Sequence, residues 1–164
     1  MKNNTIHYIS WEDINCIIYK LSYEIEQNIK PDIIITIVRG GMIPATMLSH
    51  KLGIRNVDCL IVRETIDDQI NSKKHTPIIE ITNEIREKCR GQNVLIVDDI
   101  IGSGNTLSIV KSELQKAMPA SITSAVCYVN ELNWKKHNAT SVDMLADYIG
   151  STISGWVVFP WEIF

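Results

Sequence analysis

Near the amino end of the chain the apolar residues Trp11, Ile14, Ile17, Ile18, Leu21 and Ile25 fall three or four positions apart, with polar residues between them. Ser10 stands just before this run and Asp13 three places later, the arrangement of a capping box, so the spacing predicts a helix over 11–29 that Pro31 ends. The period then changes. Residues 32–38, DIIITIV, form a β-branched run without alternation, as expected of a strand covered on both faces, and the ArgGlyGly at 39–41 breaks it. Residues 42–52 return to helical spacing, with Pro44 in the first turn and Gly53 at the close. A second buried strand follows at 57–62, a third at 94–97, a helix at 106–118, a fourth strand at 122–129 and a short one at Tyr148 and Ile149. Strands alternating with helices predict an α/β fold around a parallel sheet, in which ligands gather at the carboxyl ends of the strands. Two stretches lack the period. Residues 63–77 are polar and charged, a long loop of the kind that carries function, and residues 131–143, ELNWKKHNATSVD, read as a surface connection.

Composition narrows the class. A chain of 164 residues, 45% hydrophobic, is the length of one domain over 1–164 with a real core. The formal charge of −3 creates no field that would gather a nucleic-acid backbone or an anionic membrane, so any phosphate recognition must be local. Cys16, Cys59, Cys89 and Cys127 are widely spaced and form no CxxC pair, which suggests neither zinc nor a disulfide framework. With no apolar leader core and no run of membrane-spanning length, a soluble cytoplasmic protein is expected.

The chemistry concentrates in residues 94–106, VLIVDDIIGSGNT: a buried strand, two adjacent carboxylates, and a small-residue loop that opens a helix. Gly102 and Gly104 let backbone amides converge, Ser103 and Thr106 add hydroxyls, and the helix amino terminus brings partial positive charge, which together suit a phosphate monoester. The glycine spacing is neither a Walker loop nor a dinucleotide fingerprint. Asp98 and Asp99 would repel a phosphate unless they hold something else, and a ribose diol or a metal beside a 5-phosphate meets both demands.

This string resembles the motif with which type I phosphoribosyltransferases bind phosphoribosyl pyrophosphate (PRPP). The resemblance implies that Asp98 and Asp99 contact the ribose hydroxyls, directly or through Mg2+ held at Asp99, and that Ile101, Gly102, Ser103, Gly104, Asn105 and Thr106 bind the 5-phosphate. Residues 34–53 are similar to the family's pyrophosphate loop, in which Arg39 supplies a guanidinium fork and Gly40 allows close backbone approach. A cis peptide bond is expected there, at Arg39–Gly40. Lys73 and Lys74 fall where the family has a basic loop that closes over pyrophosphate. The carboxyl end, GWVVFPWEIF, is similar to the xanthine-guanine and hypoxanthine branch, with Trp156 stacking on the base, Val157 offering backbone contacts and Glu162 nearby. The fold so implied is a parallel sheet with a small hood built from the termini; the partners are PRPP, a purine-like base and further copies of the chain. Two positions depart from the purine pattern. Gly102 stands where an aspartate usually exchanges a proton with the base, and Tyr128, Val129 and Asn130 stand where a lysine usually reads its 6-oxo group. A non-purine acceptor, or a PRPP- or nucleotide-sensing role without turnover, is the alternative.

Overall fold

The computed structural model describes residues 5–63, 78–79 and 81–162. In chain order its elements are β1 (Ile6–Tyr8), α1 (Trp11–Asn28), β2 (Ile33–Val38), α2 (Met42–Leu52), β3 (Val57–Arg63), β4 (Ile78–Ile79), α3 (Asn83–Cys89), β5 (Asn93–Ile101), α4 (Asn105–Gln115), β6 (Ser121–Asn130), α5 (Glu131–His137), β7 (Tyr148–Ile153) and β8 (Trp156–Val158). Six strands form one sheet in the order β4-β3-β2-β5-β6-β7, all pairs parallel except the antiparallel β3–β4 edge. This is the α/β fold around a mostly parallel sheet that the alternation of strands and helices predicts.

The unbroken apolar strands are buried on both faces because alternate residues serve two cores. Ile33, Ile35 and Ile37 of β2 pack with Ile85, Leu107, Val110 and Leu114 on one side. Ile34, Leu95 and Val97 pack with Ile14, Ile18, Leu21, Ala45 and Leu48 on the other. Helix α1 starts at the predicted box: the Asp13 amide donates to Ser10 Oγ at 3.1 Å and the Ser10 amide to Asp13 Oδ2 at 2.9 Å. Helix α2 has the bounds its spacing predicted, with Gly53 capping it through an N–H to Ser49.

Three expectations are corrected. Residues 131–137 are not a surface connection but helix α5, because Asn130 Oδ1 accepts from the Asn133 amide at 3.2 Å and caps it, while Trp134 buries its ring. Helix α4 ends at Gln115 rather than at 118, and Met118 turns the chain with φ 55°. Strand β5 does not stop at Val97 but runs to Ile101, so the acidic pair sits inside the strand rather than between it and the loop.

The termini meet over one end of the sheet. β1 and β8 form a separate parallel pair, tied by the Trp156 amide to the Thr5 carbonyl and the Ile9 amide to the Val158 carbonyl, both at 2.9 Å. This is the predicted hood. It stands over the carboxyl ends of β2 and β5.

Candidate active site

β5 delivers the two carboxylates. Asp98 is buried and Asp99 lies beside it; the Asp99 amide donates to Asp98 Oδ1 at 3.0 Å and the Ile100 amide to Asp99 Oδ1 at 2.7 Å. Burial, and then the neighbouring Asp99 charge, push the Asp98 carboxyl well above the ordinary range, and burial also raises Asp99, with Glu162 adding to it. Two desolvated carboxylates with few donors constitute an unneutralised site for a cation or for hydroxyl groups.

Gly40 is packed against this pair. A Cβ placed on Gly40 would run into the Asp99 carboxylate itself, and one on Gly41 would stand 2.6 Å from the Val97 carbonyl and 2.7 Å from that of Ile37. The turn after β2 therefore touches β5 only because it lacks side chains. The cis bond in this turn is Val38–Arg39, one residue earlier than expected, where β2 gives way to the turn at Gly40. Arg39 is exposed.

The loop after β5 is supported from below. Gly104 adopts φ 84°, and a Cβ there would lie 2.6 Å from the Trp134 ring and 2.7 Å from Leu145, so only glycine fits both the conformation and the space. Trp134 is itself fixed by its indole N–H donating to the Thr140 carbonyl at 2.8 Å, and Asn138 Nδ2 donates to the Ser103 carbonyl at 2.8 Å. Gly104 gives helix α4 no side-chain cap; the Asn105 amide donates to Ser103 Oγ at 3.4 Å, and the Thr106 amide follows it in the first turn. Gly102 is different. Its φ is not positive, and the nearest atom to a Cβ there is Asn133 Nδ2 at 3.8 Å.

The hood completes the site. Phe159 donates its amide to Glu162 Oε2 at 2.9 Å, and the Phe159 and Trp161 rings stack 4.7 Å apart at 6°. Asn130 Nδ2 donates to the Gly155 carbonyl at 2.6 Å, immediately before Trp156, whose side chain is 71% exposed. Two cavities result. One, about 570 Å³, is lined by Arg39, Gly40, Asp99, Trp161 and Glu162. The other, about 260 Å³, is lined by Asp99, Ile100, Gly102, Asn130, Asn133, Gly155, Trp156, Val157, Phe159 and Glu162. Asp99 and Glu162 belong to both.

The structure thus brings Arg39, Gly40, Asp98, Asp99, Gly102, Trp156, Val157 and Glu162 to one place, with Ile101 ending β5, Ser103 and Gly104 in the adjoining loop, and Asn105 and Thr106 opening α4. Lys73 and Lys74 lie outside the described residues. Sequence reasoning missed Asn130, Asn133 and Trp161 as lining residues, and Trp134 as the loop's support. An asparagine directly after an apolar strand, with AsnTrp three places on, was a readable cap signal.

Among the described residues no group of three or more metal-ligating side chains exists. A hard divalent ion that keeps one or two carboxylates and takes its remaining oxygens from substrate and water fits Asp99 and its neighbour.

A family model described as the phosphoribosyl transferase domain matches residues 9–163. Xanthine-guanine phosphoribosyltransferase of Idiomarina loihiensis is 24% identical, over 98% of this chain and 89% of its own. The solved purine phosphoribosyltransferase of Pyrococcus horikoshii is 30% identical with a TM-score of 0.76, covering 100% of this chain and 96% of its own. A hypothetical protein from Neisseria gonorrhoeae, solved with bound ppGpp, is 25% identical with a TM-score of 0.82, covering 98% of this chain and 91% of its own.

Proposed function

The chain belongs to the phosphoribosyl transferase domain family and is a phosphoribosyltransferase; from that premise we propose that it transfers the 5-phosphoribosyl group of PRPP to a ring nitrogen of a purine base. The observation that carries this reading is the pair of cavities that share Asp99 and Glu162. One reactant carries a pyrophosphate and the other is a flat base, and the anomeric carbon must lie between them. The cavity beside Arg39 and Gly40 suits the pyrophosphate; the cavity under Trp156 suits the base. Asp98 and Asp99 then hold the ribose hydroxyls, and Ile101 through Thr106 hold the 5-phosphate with backbone amides. Val157 meets the base edge through its backbone, and Glu162 stands where the two halves join.

In the reaction the bond from the anomeric carbon to the pyrophosphate oxygen breaks as that from carbon to base nitrogen forms. The departing electron pair leaves with pyrophosphate, and the ring N–H proton of the base is lost to solvent. Arg39 and the loop amides stabilise charge that grows on the leaving group, while Asp98 and Asp99 fix the sugar so that both cavities face the same carbon. Asp99 would hold Mg2+, which would supply positive charge against the pyrophosphate when bound. The protein then acts as a cytoplasmic purine-salvage enzyme, in a homo-oligomer.

The test is pyrophosphate release from PRPP and Mg2+ with a panel of bases. Release with at least one purine at a kcat/KM of about 10⁴ M⁻¹s⁻¹ or above is expected, and no release with any base sinks the proposal. The ppGpp-bound neighbour favours a second ligand: a guanosine carrying two pyrophosphates offers one flat base and one pyrophosphate to the same two cavities. Competition of ppGpp with PRPP in that assay supports it, and ppGpp without effect on PRPP binding removes it.

A further inference from the structure

The base cavity carries an asymmetry that the purine pattern does not contain. Asn130, at the position where a lysine would read a 6-oxo group, is committed to the fold: Nδ2 donates to the Gly155 carbonyl and Oδ1 accepts from the Asn133 amide. It is buried and cannot turn to a ligand. Asn133 is the opposite case. Its backbone is held at both ends, the amide by Asn130 and the carbonyl by His137 Nδ1 at 2.8 Å, while its exposed carboxamide has no hydrogen-bond partner among the described residues and is open to solvent or a ligand. That carboxamide lies in the wall of the base cavity and stands before Gly102, the place from which an aspartate side chain would otherwise project.

Among the described lining residues there is no lysine or arginine, and the two charged ones, Asp99 and Glu162, are acceptors. A 6-oxopurine presents two acceptors along its N7 and O6 edge, which calls for two donors. A 6-aminopurine presents an acceptor at N7 and a donor at N6. A carboxamide offers one donor and one acceptor whichever way it is turned, so it satisfies the second edge fully and leaves its oxygen facing an acceptor on the first.

Resting on the phosphoribosyltransferase reading above, we propose that the Asn133 carboxamide reads the N6/N7 edge of the acceptor base, with Asn130 as its positioning residue, and that the site favours 6-aminopurines over 6-oxopurines. A bidentate pair of this kind discriminates by roughly 5- to 150-fold.

The experiment measures AMP and IMP dissociation constants by calorimetry on the wild type and on Asn133→Leu, with pyrophosphate release from PRPP, Mg2+ and adenine or hypoxanthine followed on the same samples. Wild-type protein binding AMP about tenfold or more tightly than IMP, and the variant bringing the two within about threefold, is the expected result. IMP bound as tightly as AMP, or a preference that Asn133→Leu leaves unchanged, overturns the assignment. The wild-type ratio decides alone if the variant does not fold. Turnover with the preference reversed removes only this inference; an intact AMP preference without turnover removes only the enzymatic reading.

Discussion

Asp98 is where the site works against the fold. Its carboxyl is raised by burial and then by Asp99, so the folded chain holds that proton more tightly than the unfolded chain, whose aspartates titrate near 4. A raised folded value means that stability falls as pH rises from about 4 through the folded value, because over that window the native state binds more protons. Asp98→Asn should therefore melt higher than wild type at neutral pH, by roughly 2–4 °C for each kcal/mol relieved, while the difference closes toward pH 4. The same variant should lose most of the stabilisation that PRPP with Mg2+ gives the wild type. Equal melting temperatures at pH 7.5 would show that another group already neutralises the pair. Gly40 is the complementary case, a residue that the fold tolerates only as glycine because the Asp99 carboxylate fills the space beside it. Gly40→Ala must displace Asp99 or the turn, and a misplacement of that size lowers turnover about 100-fold. Turnover within threefold of wild type would mean that Asp99 can move without consequence.

At the scale of elements, what the sequence announces depends on whether a local pattern or a distant partner decides the structure. Ser10 with Asp13 and the spacing behind them were sufficient for α1, and Met42 to Leu52 with Gly53 for α2, because caps and periodicity are local. The site motif was legible for the same reason: strand, acidic pair and loop are contiguous. Helix α5 was not, since its single turn of apolar contact is Trp134, which packs under Gly104, a residue thirty positions earlier in the chain, and its polar face reads as loop. Helix α3 was equally silent apart from Thr82, whose hydroxyl accepts from the Ile85 amide at 3.3 Å. The extra length of β5 comes from pairing with β6 as far as Ile101, which no local propensity reports. The join between β6 and α5 can be tested directly. Asn130→Ala removes both the cap of α5 and the clasp on Gly155, and should cost about 0.5–2 kcal/mol for the cap in a urea melt. It should also raise KM for the base while leaving the PRPP-induced thermal shift as it was. Asn130→Asp keeps the acceptor for Asn133 but sets a buried carboxylate oxygen against the Gly155 carbonyl, so it should recover neither the stability nor the KM. Recovery of both by the aspartate would mean that the clasp is irrelevant to the base.

Across the whole molecule the two reactants are assigned to structures of different origin. On the proposed assignment the sheet and its β2 and β5 loops would hold the sugar phosphate, and the β1–β8 hood would cover the base. Such a division predicts that base and PRPP recognition separate on mutation, and Trp156 is where this shows most clearly. A tryptophan anchoring a terminal strand to the core would be buried; Trp156 is 71% exposed, and the anchoring falls instead to Phe159, 3% exposed, with Trp161 stacked on it. Trp156→Ala should leave the melting temperature within the range of ordinary surface substitutions, about ±0.5 kcal/mol, and the PRPP shift intact. Base affinity should fall by the worth of one stacking contact, about 1–3 kcal/mol, or roughly 5- to 150-fold in KM. The hood is then a cover that contributes contact rather than stability. Were the variant to lose PRPP binding and base binding by the same factor, the termini would be part of the sheet's own support, and the two cavities would act as one site.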